Sequence, residues 1–300
     1  MDAEPEENNW LSVKYEEVFD NRPNLWYYGE GNWFEFSLNK VYKKGDKGED
    51  YGKILQEINI RLAGFGGNVP SEDFTERTEK TVIQFQKDYM KIEEPSGEVD
   101  DKTLTAIDEF GKKFDMNFEQ VKCKCGTCTG FGKGLYSNEK QKDSIKERKR
   151  KYEYPGIHRS LFWALKAIQY YLSDKYSSYN LKFGKTSSGY RCHKDNSQHN
   201  RTSTNHMGKA LDLHFYKLNS SNSTEVNCDK IRDLLILKSG AQLRWSGSDK
   251  FSLEPSTKDK KGNEFLATTW VHIDVREFKK EFLKDDFFIK TKDKITNTLI

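Results

Sequence analysis

The sequence predicts an α+β fold, and three observations predict it. Apolar residues recur at three- and four-residue steps through residues 41–112. A long amphipathic stretch, IHRSLFWALKAIQYYLSDKY, follows Pro155. Beyond it, LKFGKTSSGY, ALDLHFY and TTWVHIDVR read as short strands, separated by the helical segment CDKIRDLLILKSG. At 300 residues the chain is long enough for two cored units. Charged residues make up 32%, yet 6 Trp, 15 Tyr and 19 Phe exclude a disordered chain. No run approaches eighteen consecutive apolar residues, so no membrane span is expected.

Taken in order, the elements divide the chain into three parts. Residues 1–40 are acidic and then aromatic. Their NLWYYGEGNWFEFSL, broken by Gly and Asn, reads as two small strands or an ordered arm. Residues 41–112 read as three short helices. The first runs through ILQEINIRLAGFGG and is stopped by its glycines, the second through RTEKTVIQFQKDYM, and the third through DKTLTAIDEF, which Asp100 or Asp101 can cap. Residues 118–300 hold the long helix, with Leu161, Leu165, Ile168, Tyr171 and Leu172 facing inward, and the strands.

Charge follows the same division. Residues 1–110 hold 13 Lys+Arg against 25 Asp+Glu, and the remainder holds 37 against 22, so an acidic front of −12 precedes a basic back of +15. The run NEKQKDSIKERKRKYE, including Lys140–Lys151, has no interleaved aromatics for base stacking. It reads as a solvated segment, and no nucleic-acid partner is expected.

The helical segment resembles the peptidoglycan-binding domain of wall hydrolases. The resemblance is carried by Gly45-Asp46-Lys47-Gly48, by Leu55-Gln56, by Thr78, Val82, Phe85 and Gln86, and by the later GEVDDKTLTAI. It implies peptidoglycan as a partner.

Two of the six histidines sit in surroundings that suggest metal chemistry. His206 lies in TSTNHMGKALDLHF, where Gly208 lets the chain bend, and Asp212 follows in an apparent strand. His272 lies in the strand WVHIDVR. Two imidazoles and a carboxylate are a common donor set for a catalytic zinc that keeps one position open.

Here the chain resembles the zinc D-alanyl-D-alanine carboxypeptidase and endopeptidase family. The resemblance rests on three blocks in order: Ser188-Gly189-Tyr190-Arg191 followed by Asn196; Thr204, His206, Gly208, Ala210 and Asp212; and His272-Ile273-Asp274. It implies a two-layer α+β zinc peptidase domain over residues 118–300, with His206, Asp212 and His272 on the metal and Arg191 recognising substrate. The chain departs from the family in two places. The first ligand and Asp are six residues apart instead of seven, with only Met207 between His206 and Gly208. The family's general-base positions are occupied by Trp270 and Thr269, neither of which can take a proton from water. His214, which shares strand parity with Asp212, and Glu264 are the candidates for that role, and Asp274 is expected to orient a ligand.

Five cysteines are too few for a disulfide scaffold. Cys123, Cys125 and Cys128 with Cys192 fit either a structural zinc site or, outside the cytoplasm, disulfides, and the odd count leaves at least one thiol free if no cysteine binds metal or bridges chains. The resulting expectation is a zinc-dependent, cell-wall lytic peptidase cleaving peptide stems or cross-links of peptidoglycan. The alternative is a non-catalytic wall binder with a structural metal. The opening MDAEPEENNW has neither a basic nor an apolar leader region. Export without a classical signal, as an endolysin or a secreted antibacterial effector acting in the periplasm or at the wall, is therefore expected, the latter with a cognate inhibitor protein.

Overall fold

A computed structural model describes residues 24–29, 32–37, 40–51, 53–114, 116–132, 152–201, 204–244, 248–257 and 266–295. Glu264 and the Lys140–Lys151 run lie outside the described residues. The architecture is α+β, as the periodicities predict.

In the aromatic arm, β1 (Asn24–Gly29) pairs antiparallel with β2 (Asn32–Ser37). The helical segment follows with α1 (Ile54–Arg61), α2 (Glu76–Asp88) and α3 (Asp101–Lys113). Local chemistry sets their starts. At α2, the Thr75 hydroxyl accepts from the Thr78 amide while the Thr78 hydroxyl accepts from the Thr75 amide, a reciprocal cap. At α3, the Asp100 carboxylate accepts from the Thr103 amide at 2.8 Å.

A 3₁₀ turn at Phe118–Val121 and a cysteine-bearing loop lead to β3 (Ile157–His158) and α4 (Arg159–Ser173). Then come β4 (Leu181–Ser188), α5 (His193–Gln198), β5 (Ala210–Lys217) and α6 (Glu225–Ser239). The short strands β6 (Gln242–Leu243), β7 (Ser252–Leu253), β8 (Val271–Asp274) and β9 (Phe288–Ile289) complete the order. A mixed sheet runs β4-β5-β8-β7-β6, antiparallel except between β6 and β7, and β3 pairs with β9. Along β5, alternation buries Leu211, Leu213 and Phe215 in the core on one face and turns Asp212, His214 and Tyr216 to the other.

Helix α4 differs from its amphipathic pattern, because it is buried nearly all round. The reason is the helical segment, which covers its polar side. Arg159 donates to both carboxylate oxygens of Glu57 on α1, at 2.6 and 2.8 Å. The Lys166 ammonium reaches the carbonyls of Gly111, at 3.0 Å, and Phe114. The Tyr171 hydroxyl donates to Asp88 at 2.7 Å. Arg61 completes the network, donating to Glu57 and, at 2.6 Å, to Asp108. One hydrophobic core therefore runs from Phe65, Phe85 and Phe110 through Trp163 into the sheet.

Candidate functional site

The candidate site forms on the sheet face opposite Leu211 and Leu213. Register puts Asp212 of β5 directly across from His272 of β8, so both side chains leave the same face at neighbouring positions. His206 arrives from the turn before β5. Gly208 at φ +121° lets that turn be short, and a Cβ there would lie 2.5 Å from the Gly156 carbonyl. The turn is held by Lys209 N donating to Asn205 O at 2.9 Å and by His158 N donating to Gly208 O at 3.0 Å. His206 Nε2 stands 3.3 Å from Asp212 Oδ1, and His272 Nδ1 stands 2.8 Å from the same oxygen. All three residues are buried, at 3, 6 and 2% exposure, and one ligand atom from each falls within 4.8 Å of the others.

The outer hydrogen bonds decide what these atoms offer. His206 Nδ1 lies 2.9 Å from the Gly189 carbonyl, which only accepts, so Nδ1 carries the proton and Nε2 presents its lone pair. His272 Nε2 lies 2.9 Å from Asp274 Oδ2, which also accepts from Asn205 Nδ2 and Arg276 Nε, both at 2.8 Å. The remaining nitrogen of His272 faces Asp212 Oδ1. Asp212 Oδ2 is taken by the Arg191 guanidinium at 2.6 Å, leaving Oδ1 for the cluster. Two imidazole nitrogens and one carboxylate oxygen therefore converge. Burial alone would lower the His272 pKa, but the Asp212 and Asp274 carboxylates outweigh it and raise it to about 10. Burial would likewise raise Asp212, yet the neighbouring His206 and His272 hold it far below the usual carboxylate range.

No family model and no curated protein matches the chain. The site is therefore read from its own geometry. Its ligand count, donor types and outer hydrogen bonds allow it to hold a metal ion.

The other expected site residues fall around this cluster. Arg191 lines a cavity of about 400 Å³ with Ser188, Tyr190, Arg201 and Trp270. Its guanidinium also donates to Ser188 Oγ at 2.5 Å, so it orients Asp212 as well as facing the cavity, a tie that the sequence did not reveal. His214 lies on the Asp212 face of β5, outside the close ligand group, with its ring beside Tyr216. Burial lowers its pKa, so it is a neutral imidazole at pH 7. Asp274, expected to orient a ligand, has Oδ2 2.9 Å from His272 Nε2.

Glu254 was missed. It directly follows β7, is partly exposed, and places Oε1 3.9 Å from His272 Nε2. The two-residue strand before it has too little pattern to signal in sequence. Arg276 was also missed: it sits in the turn after β8, where its Nε donates to Asp274 Oδ2 at 2.8 Å.

A second cluster gathers Cys123, Cys125, Cys128 and Cys192, with their sulfurs within 4.8 Å of one another. Cys228 is buried separately on α6 against Ser223. Both clusters can hold a metal.

Proposed function

We propose that this chain is a zinc-dependent peptidase that cleaves peptide stems or cross-links of bacterial peptidoglycan. The observation that carries the reading is the convergence of His206 Nε2, Asp212 Oδ1 and His272 Nδ1 beside an open cavity. Zinc held there supplies a Lewis acid for the scissile carbonyl and lowers the pKa of a water to about 7.

The chain's own groups do the rest. Gly189 O and Asp274 fix the two imidazole tautomers, and Arg191 fixes Asp212. On the cavity wall Arg191, Arg201, Lys122 and Lys124 outnumber Asp195 and Asp212, a cationic excess suited to the carboxylates of wall peptides. Trp270 and Thr269 stand where the related peptidases carry a base. The proton of the attacking water therefore passes to another group, for which we propose Glu254, whose Oε1 lies 3.9 Å from His272 Nε2. The helical segment binds the glycan-peptide polymer and favours endopeptidase action over trimming of free precursors. The setting is the wall or periplasm, reached as a phage lysin or as an injected effector with a cognate inhibitor.

Digestion of purified sacculi by zinc-loaded full-length protein tests this reading. Soluble fragments are expected, lost on chelation and restored by zinc, with masses that name the bond. His206→Ala is expected to lose metal at this centre and activity together. Glu254→Gln is expected to lower kcat by about 10²–10⁴-fold with that metal retained. Binding to sacculi with no products from either lysine or diaminopimelate walls would replace the reading with a non-catalytic wall binder.

A further inference from the structure

The cysteine cluster stands apart from the peptidase reading and needs its own account. Its members come from two places in the chain: the loop after the Phe118–Val121 turn, and the residue that immediately follows Arg191. We propose that Cys123, Cys125, Cys128 and Cys192 form a tetrathiolate site for one zinc ion, separate from the His206 cluster, which staples the Arg191 turn in place.

The geometry of the sulfurs is the first support. A tetrahedron with Zn–S bonds of about 2.3 Å has edges of about 3.8 Å. The four sulfurs already lie within 4.8 Å of one another, so small rotations close the site. Cys192 is buried and the other three are partly buried, so the centre is sheltered from solvent.

The second support is independent and lies in the backbone. Each sulfur accepts at least one amide hydrogen, the one at Cys192 also capping α5. Cys123 Sγ accepts from Cys192 N at 3.4 Å, and Cys125 Sγ from Cys128 N at 3.3 Å. Cys128 Sγ accepts from Gly130 N at 3.3 Å, and Cys192 Sγ from Asp195 N at 3.4 Å. One N–H aimed at every sulfur is the pattern that stabilises four metal-bound thiolates, because it spreads the excess negative charge of the ligand set. Two disulfides would need no such pattern. The loop is bent to make it: Gly126 at φ +73° and Gly130 at φ +103° turn the chain, and Cys123 N closes it on Gly130 O at 2.7 Å. Four soft sulfur donors select zinc over magnesium or calcium.

The site's position gives it a consequence for the other cluster. Tyr190 N donates to Val121 O at 2.8 Å, and Arg191 N donates to His206 O at 2.7 Å. Gly189 O holds His206 Nδ1. The segment from Gly189 to Cys192 thus joins both centres, with the cysteine end anchored by sulfur and the other end orienting a ligand. The thiolate metal is structural: it does no chemistry and positions Arg191.

Metal content and cobalt absorption of the full-length chain test the proposal. Purified under reducing conditions, the wild-type chain is expected to hold two ions, one for each cluster. Cobalt exchange should give intense thiolate-to-cobalt charge-transfer bands, which no histidine–carboxylate centre produces. His206→Ala should lose one ion and keep those bands, whereas Cys128→Ser should lose one ion and the bands. The wild-type and His206→Ala readings carry the test even if Cys128→Ser fails to fold. Cobalt bound without sulfur bands would overturn the assignment, as would iron in place of zinc. Four cysteines resistant to alkylation in denatured, unreduced, metal-free protein would also overturn it, because they would be disulfides. The bands report only the sulfur centre, so this outcome is separate from whether sacculi are cleaved.

Discussion

Glu57→Gln removes one charge from the network between the helical segment and α4 while keeping the side chain's shape. Burial pushes the Glu57 carboxyl up, but the Arg159 and Arg61 guanidinium groups outweigh that and hold its pKa at about 2, against an ordinary 4.5. At about 1.4 kcal/mol per pH unit this interval is worth about 3 kcal/mol of stability at pH 7. That agrees with the range of about 3–5 kcal/mol for breaking a buried pair from one side. A folded-state pKa below the unfolded one means that the contribution is fully present above about pH 4.5 and is lost as pH falls through 2. At pH 3 roughly 1 kcal/mol of it remains. Urea unfolding of the wild type and Glu57→Gln at pH 7 and pH 3 should therefore show a difference that shrinks from about 3 to about 1 kcal/mol. Arg159→Met added to Glu57→Gln should recover part of the loss, because it removes a buried cation left short of its partner. A loss below about 1 kcal/mol at pH 7, or one that does not shrink at pH 3, would refute the claim that this pair holds the two parts together.

His158 is fully buried, accepts the Ser160 amide through Nδ1, and donates Nε2–H to Phe282 O at 2.9 Å, so only the neutral ring fits; burial lowers its pKa to about 4. Its folded pKa lies below the ordinary 6.5, so stability is lost as pH falls from 6.5 towards 4, and an NMR titration midpoint near 6.5 would refute this account. Gly67→Ala should cost at least about 1–2 kcal/mol from its positive φ alone. Its Cβ would also lie 2.3 Å from Ser239 O at the end of α6. Thermal unfolding within about 0.5 kcal/mol of wild type would contradict the close approach.

The fold was legible where one physical rule dominated. Helix α3 announces itself through Asp100 at its start, and α1 and α2 through apolar spacing. Strands β5 and β8 announce themselves by alternation. The pairing of α4 with the helical segment was not legible, because Arg159 and Lys166 look like solvent-facing residues of an amphipathic helix. They are buried because their partners, Glu57 and the Gly111 carbonyl, lie far away in sequence. Long-range charge pairing leaves no local period, so no window of sequence can reveal it. The same limit applies to β6 and β7, which are two residues each.

The candidate site divides along the same line. His206, Asp212 and His272 were readable because a short turn and two strands constrain where each can point. The turn between His206 and Asp212 passes through Gly208, whose φ a residue with a Cβ would not readily take. Glu254 and the Arg191–Asp212 contact were hidden, since each depends on which strands become neighbours. Arg191 and Cys192 occupy adjacent positions yet serve different clusters. A chain that bends sharply enough to aim a guanidinium at Asp212 places the next side chain in the opposite direction, towards Cys123 and Cys128. If the four sulfurs hold zinc as proposed, anchoring that second side chain would limit the freedom of the first. On that proposal, the precision of the Arg191 contact would depend on the cysteine cluster as well as on Asp212.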